Sequence, residues 1–295
     1  MKKLSFLIFL AISFTLFQFS CSETDQSLEQ DLDSGSLYAV QYSDLGDIGY
    51  ISLNEGALHN DLVNLAIDHW TACSDDPIVI SNEFIRILTE HGQSLVEENN
   101  LDFEEFINIA NSDEIVSGLE DMDDASFETP EYWSQKGFSS NFTEKALGLV
   151  NVINGLSGEN VSIIKASINN FYEANNLSLN ENDQLAFGMM VDVANHSAEL
   201  WLGTEAGGQN RFFEFVEIQN GICNESDPIS QTNGFWAKLI LSDAAGAVGV
   251  AASTIASTGG VAGVPTPATL GIPPAGIAGV IGGVTASAIS AINNW

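Results

Sequence analysis

Between Ala244 and Trp295 the chain has no Asp, Glu, Lys, Arg or His. Gly, Ala, Ser, Thr, Val and Ile fill this stretch, together with four of the seven prolines. A segment of this kind is buried in protein, placed in lipid, or left as a Gly/Pro-rich tail, and each outcome dictates a different layout for the rest of the chain. Two apolar arms, from about Trp236 to Ser257 and from Ala275 to Ile292, flank a middle rich in helix breakers. That middle runs from Gly259 through Pro265, Pro267 and Gly271 to Pro273 and Pro274.

Within each arm a small residue recurs every fourth position. Ala245, Gly249, Ser253 and Ser257 do so in the first arm, and Ala275, Gly279, Gly283, Ser287 and Ala291 in the second. A spacing of four places such residues on one helix face. A face without side-chain bulk lets two backbones approach closely, as small-residue faces do between helices in membranes. The other faces carry Val248, Ile255, Ile277, Val280, Val284 and Ile289, which suit lipid or a protein core. Each arm has roughly 18–22 residues, about 27–33 Å as a helix, close to bilayer thickness. The expectation is a Gly/Ala-rich helical hairpin over residues 236–295, with Ala245, Gly249, Ser253, Gly279, Gly283 and Ser287 as its helix-packing positions.

The other end of the chain is an export signal. Lys2 and Lys3 precede an apolar run from Leu4 to Phe19, too short for a comfortable span. It ends at Ser20-Cys21, which resembles a bacterial lipobox although Gln18 stands where Leu is usual. Cys21 is therefore the expected lipidation site and mature N-terminus. Residues 1–20 are the signal peptide, and the polar, acidic residues 21–36 form a tether.

The formal net charge is −32. It becomes −34 after cleavage, since residues 1–20 hold two lysines and no acid. The remaining cations, Arg86, Lys136, Lys145, Lys165, Arg211 and Lys238, are scattered. With no basic patch, nucleic acid is not expected as a partner, and attraction to anionic lipid is likewise disfavoured.

Residues 37–235 read as an acidic, mainly α domain, long enough to bury a core of its own. Leu37–Tyr42 suits a short strand; after it, helical periodicity dominates. Leu58, Leu62, Leu65, Ala66 and His69 make one apolar stripe, which places His69 in the core. Phe84, Ile87 and Leu88 repeat the pattern before Gly92. Ala146, Leu149, Val150 and Ile153 do so before Gly155, and Val161, Ile164, Ile168, Phe171 and Tyr172 form the next stripe. Asp102 with Glu105, and Ser178 with Glu181, fit capping boxes. The second opens a helix with Ala186, Met189, Met190, Val193 and Leu200 inward. Arg211–Ile218 is ambiguous between helix and strand.

Once Cys21 is acylated, Cys73 and Cys223 are the remaining thiols, and an exported chain most simply joins them in a disulfide. Both begin loops that end in Asp-Pro: Cys73-Ser-Asp-Asp-Pro and Cys223-Asn-Glu-Ser-Asp-Pro. No metal is expected. His59, His69, His91 and His196 have no close metal spacing, and the acids of Asp113–Asp124 do not follow the EF-hand order. No cofactor is expected, and no catalytic signature stands out.

Asp243-Ala244-Ala245-Gly246-Ala247 opening a long Gly/Ala segment resembles the glycine-rich tails of exported proteins from Bacteroidota-type bacteria. Those tails are similar in turn to the glycine-zipper hairpins of class II bacteriocins. Gly56-Ala57-Leu58-His59-Asn60 resembles a Gly-x-x-His-Asn segment of the same exported proteins. The resemblance implies a lipoprotein of the outer membrane, with His59 and Asn60 as an exposed polar pair, and the acidic residues just after Cys21 are similar to surface-export signals of the same bacteria. The function expected is non-enzymatic: membrane association, or protein assembly including self-association, through the hairpin. A bacteriocin-like membrane-active protein is the alternative, and an envelope hydrolase using acids or His59 is a third reading.

Overall fold

The computed structural model describes residues 55–74, 76–112, 126–156, 158–223, 235–257 and 273–293, which all fall within one compact unit. Cys21, the tether, the Leu37–Tyr42 stretch and the Asp113–Asp124 acids lie outside the described residues. The architecture is all-helical, with eleven α-helices and no strand among the described residues. In chain order these are α1 (Glu55–His69), α2 (Pro77–His91), α3 (Gln93–Glu98), α4 (Phe103–Ala110), α5 (Pro130–Gln135), α6 (Ser140–Gly155), α7 (Val161–Asn175), α8 (Glu181–Trp201), α9 (Arg211–Cys223), α10 (Phe235–Ser257) and α11 (Pro273–Asn293).

Local chemistry sets several helix starts. Asp76, Asp102, Thr129, Ser139, Asn160 and Asn180 each accept a hydrogen bond from a first-turn backbone N–H. Asp102 caps α4 through Glu105 N–H as its sequence suggests. The cap of α8 is Asn180 rather than Ser178, which lies in a 3-10 turn just before it. Asn180 wins because it holds the Asp183 end twice, accepting from Asp183 N–H at 3.0 Å and donating to its carboxylate at 2.7 Å. Pro273 and Pro274 open α11 instead of breaking it. A proline in the first turn has no N–H to leave unsatisfied. The ambiguous Arg211–Ile218 stretch is helical and buries Phe212, Phe215 and Val216.

The hairpin of α10 and α11 is the centre of this helical unit. Helix α8 lies along α10, helices α1, α2 and α4 cover α11, and α6 touches α10. The outer helices turn apolar stripes inward and acids such as Glu97, Glu104 and Glu144 outward. In α8, the inward residues Ala186, Met189, Met190, Val193 and Leu200 are buried as their spacing predicts. His69 departs from expectation. It is exposed and stacks on His91 with ring centroids 3.8 Å apart. The buried face of α1 runs through Leu58, Leu62 and Ala66 and through His59, Val63 and Ile67, so it turns away from Leu65 and His69 by the last turn.

Candidate functional site

The two arms of the hairpin meet along matched rows. A Cβ on Gly246 would lie 2.5 Å from Ala286 Cβ and 2.8 Å from Gly282 O. One on Gly282 would lie 2.5 Å from Val250 Cβ and 2.7 Å from Gly246 O. Only glycine fits at either position without separating the backbones. In the neighbouring row a Cβ on Gly283 would meet Asp243 O at 3.1 Å, and one on Gly279 would meet Ala247 O at 3.0 Å. Ser287 touches Asp243 directly. Gly279, Gly283 and Ser287 therefore face α10, as a spacing of four suggests.

The matching row on α10 is Asp243, Ala247 and Ala251, while Ala245 and Gly249 turn toward α5. Ala245 O accepts from the Tyr132 hydroxyl of α5 at 3.3 Å. A Cβ on Gly249 would sit 2.3 Å from that hydroxyl oxygen. The side chain of Ser253 is outside the described ones. The four-residue period was legible, but its phase on α10 was not. Ala and Gly occupy more than one face of this helix, and nothing local says which face meets which neighbour.

Where the hairpin crosses α1 and α8, a polar seam runs through the core. His59 and Asn60 are buried rather than exposed, His59 completely. Gly56 explains this. A Cβ there would lie 2.3 Å from His196 Nδ1 and 2.6 Å from Asp192 O, so its absence lets the start of α1 press onto α8. Gly56 N–H donates to Asp192 Oδ2 at 2.8 Å, and Asn60 Nδ2–H donates to His196 O at 2.8 Å. His59 Nδ1 is 3.1 Å from Asn60 Oδ1, and His59 Nε2 is 3.1 Å from Ser287 Oγ. Ser287 Oγ in turn hydrogen-bonds Asp243 Oδ1, and Trp201 Nε1–H donates to Asp243 Oδ2 at 2.6 Å.

Hydrogen accounting limits the charge states of this seam. Asn60 spends its N–H on His196 O and presents Oδ1 to His59, so His59 Nδ1 must carry hydrogen. If His59 is neutral, its Nε2 accepts from Ser287 O–H, and the Ser287–Asp243 contact then needs a proton on Asp243. If His59 is an imidazolium, Ser287 donates to an ionised Asp243. Ser287 Oγ also lies 3.0 Å from Gly283 O; with its hydroxyl turned into the seam instead, both arrangements hold one proton between Asp243 and His59 and carry no net charge. Burial favours the neutral form of each group. It pushes Asp243 up to about 7, against the bonds from Ser287 and Trp201. It pushes His59 down to about 4, opposed by its bond to Asn60. For His196 burial also works against the charge, but the hydrogen bond and negative charge of Asp192 outweigh it and raise the pKa.

Ser287, His59 and Asp243 have the residue types of a hydrolytic triad without its order. The serine, not the histidine, stands in the middle, and the three are sealed from solvent, so no substrate reaches Ser287 Oγ. The seam satisfies a buried carboxyl and fixes the register of α11 against α10 and α1. No group of three or more His, Cys, Asp or Glu among the described residues is placed to hold a metal ion.

Cys73 and Cys223 form a disulfide with Cα atoms 5.4 Å apart. It ties the segment after α1 to the end of α9, whose Phe212 and Phe213 pack against Trp236 at the root of the hairpin. Arg211 adds a second tie between α9 and α1, donating to Asp68 at 2.6 Å and to Asn64 O at 3.3 Å. Comparison with protein-family models, with curated proteins and with solved structures found no match to this chain.

Proposed function

We propose that this chain is an exported, lipid-anchored protein of the outer membrane with a non-enzymatic role, and that its hairpin is a stored membrane-association element. In water the acidic outer helices cover the hairpin; when they open, lipid replaces them. One observation carries the reading. Helices α10 and α11, 23 and 21 residues long, have Lys238 and Asp243 as their only charged residues, and they form the innermost layer of an otherwise highly acidic molecule. The window Phe235–Ala252 has a mean hydropathy of 1.3, enough to cross a bilayer, and 89% of it is buried in protein. A buried core helix can be as long and as apolar as a membrane span, so the two fates compete for one surface.

The close-packed glycines fit both environments. Between α10 and α11 they make an interface that does not depend on water, because small-residue contacts are made by van der Waals packing. The pair can therefore leave the outer helices as a unit. Self-association through these faces requires the same opening, since in the closed form they are occupied within the chain.

The test uses the full mature chain with Cys21→Ala, which removes the acyl anchor, mixed with vesicles containing a lipid-phase photo-crosslinker. Labelling of α10 and α11 on vesicles that float with bound protein supports the reading. Protein that stays unbound at pH 7 and at pH 5, or labelling confined to other helices, overturns it and leaves the hairpin as a core element alone.

A further inference from the structure

A partly open cavity of about 190 Å³ lies away from the polar seam, where the root of α10 meets the end of α6, the start of α7 and the loop after α8. Ile153, Ile164, Leu202, Ile240 and Trp236 supply apolar wall. Glu159 and Glu205 stand at the cavity and are exposed. Neither carboxylate has an ion-pair partner among the described residues.

The Glu205 carboxylate folds back over Gly203, where an added Cβ would lie 2.3 Å from Oε1. The supporting loop is tightly tied. Gly208 N–H donates to Gly203 O at 3.0 Å, Gln209 N–H to Glu199 O at 2.7 Å, and Asn210 N–H to Leu202 O at 2.9 Å.

We propose that this cavity binds a small organic cation with an apolar body, of the size and kind of benzyltrimethylammonium. An apolar cavity of about 150 Å³ holds benzene, so the volume here suits one ring or a branched alkyl group. The walls take that body out of water. The two carboxylates select a positive head and repel an anion. This proposal does not depend on the membrane reading, since the cavity belongs to the closed form.

Isothermal titration of the full chain with benzyltrimethylammonium tests it, with 3-phenylpropionate as the anionic counterpart. The expected result is saturable binding at one site and no measurable binding of phenylpropionate. Glu159→Gln with Glu205→Gln should weaken binding about fivefold, the loss of two exposed charge contacts. Both positions are on the surface, so the variant keeps its fold. Glu97→Gln with Glu98→Gln, an exposed pair on α3, controls for general attraction to an acidic protein and should leave the affinity unchanged. The proposal is overturned by no saturable binding of the cation, by equal binding of the anion, or by equal weakening in both glutamine pairs.

Discussion

His59 Nε2 lies 3.7 Å from Asp243 Oδ2 in a region closed to solvent, with Ser287 Oγ bonded to both residues. The two groups titrate in opposite senses on folding. Asp243, raised from 3.8 to about 7, keeps its proton in the folded state across a range where the unfolded chain has lost it. Its contribution falls as pH rises from about 4 to 7. His59, lowered from 6.5 to about 4, stays neutral where the unfolded chain is protonated. Its contribution falls as pH drops from 6.5 to about 4. Between about pH 4 and 6.5 the two slopes cancel. Asp243→Asn should expose the histidine slope, losing stability toward acid. His59→Gln should expose the aspartate slope, losing stability toward neutral pH. Each slope is on the order of 1 kcal/mol per pH unit. Urea unfolding from pH 4.5 to 7.5 reads both; variants whose pH profiles are parallel to wild type would show that the pair does not share a proton.

The hairpin crossing gives a sharper steric test. Gly282→Ala puts a methyl group 2.5 Å from Val250 Cβ and 2.7 Å from the Gly246 carbonyl. Neither can yield without moving the other helix, so the expected loss is about 2–3 kcal/mol. Gly221, in α9, has nothing within 4 Å of an added Cβ. There alanine should stabilise by up to about 1 kcal/mol through helix propensity. Thermal melts of the two variants should shift in opposite directions.

A third prediction separates the two candidate caps of α8. Asn180→Ala removes the bond from Asp183 N–H and one partner of the Asp183 carboxylate, and should cost about 1 kcal/mol. Ser178→Ala removes a hydroxyl that donates to Asn175 O at an exposed turn, and should cost a few tenths. If Ser178→Ala is the more damaging, the cap is misassigned.

The period of this sequence was more legible than its phase. Apolar spacing identifies α8 and places Met190 and Val193 inward, because a long amphipathic helix buries the face it advertises. It fails for His69, where two overlapping stripes share one helix and packing on neighbours chooses between them. The hairpin shows the same limit. Gly279, Gly283 and Ser287 were readable as a packing face, while Gly246 and Gly282, which make the closest approach, fell outside the rows read from a single period. The seam was harder still. Asp243 stands out in sequence as the last charge before the tail, but its partners Trp201, His59 and Ser287 come from three other helices, and no local pattern joins them. An isolated acid bordering an uncharged segment was the available signal that a buried polar contact was needed there.

The disulfide supplies the last prediction. Cys73 and Cys223 are separated by 150 residues, and their bond closes a loop that contains most of the outer helices. In the chain-entropy model a loop of that length constrains the unfolded state by about 5 kcal/mol. Cys73→Ser with Cys223→Ser should therefore lower the urea midpoint strongly while leaving the helical content unchanged at low urea. Cys73 is exposed, so a small thiol reductant should reach the bond in the folded protein and bring wild type to the same midpoint as the double variant. The same comparison bears on the hairpin. Because Cys223 ends α9, whose Phe212 lies 4.5 Å from Phe235 between ring centroids, releasing it loosens the cover over the root of α10. Hydrogen exchange in Phe235–Leu241 should then rise in the reduced protein ahead of exchange in α8. Uniform acceleration across all helices would instead mean that the bond acts on global stability alone and does not hold the cover in place.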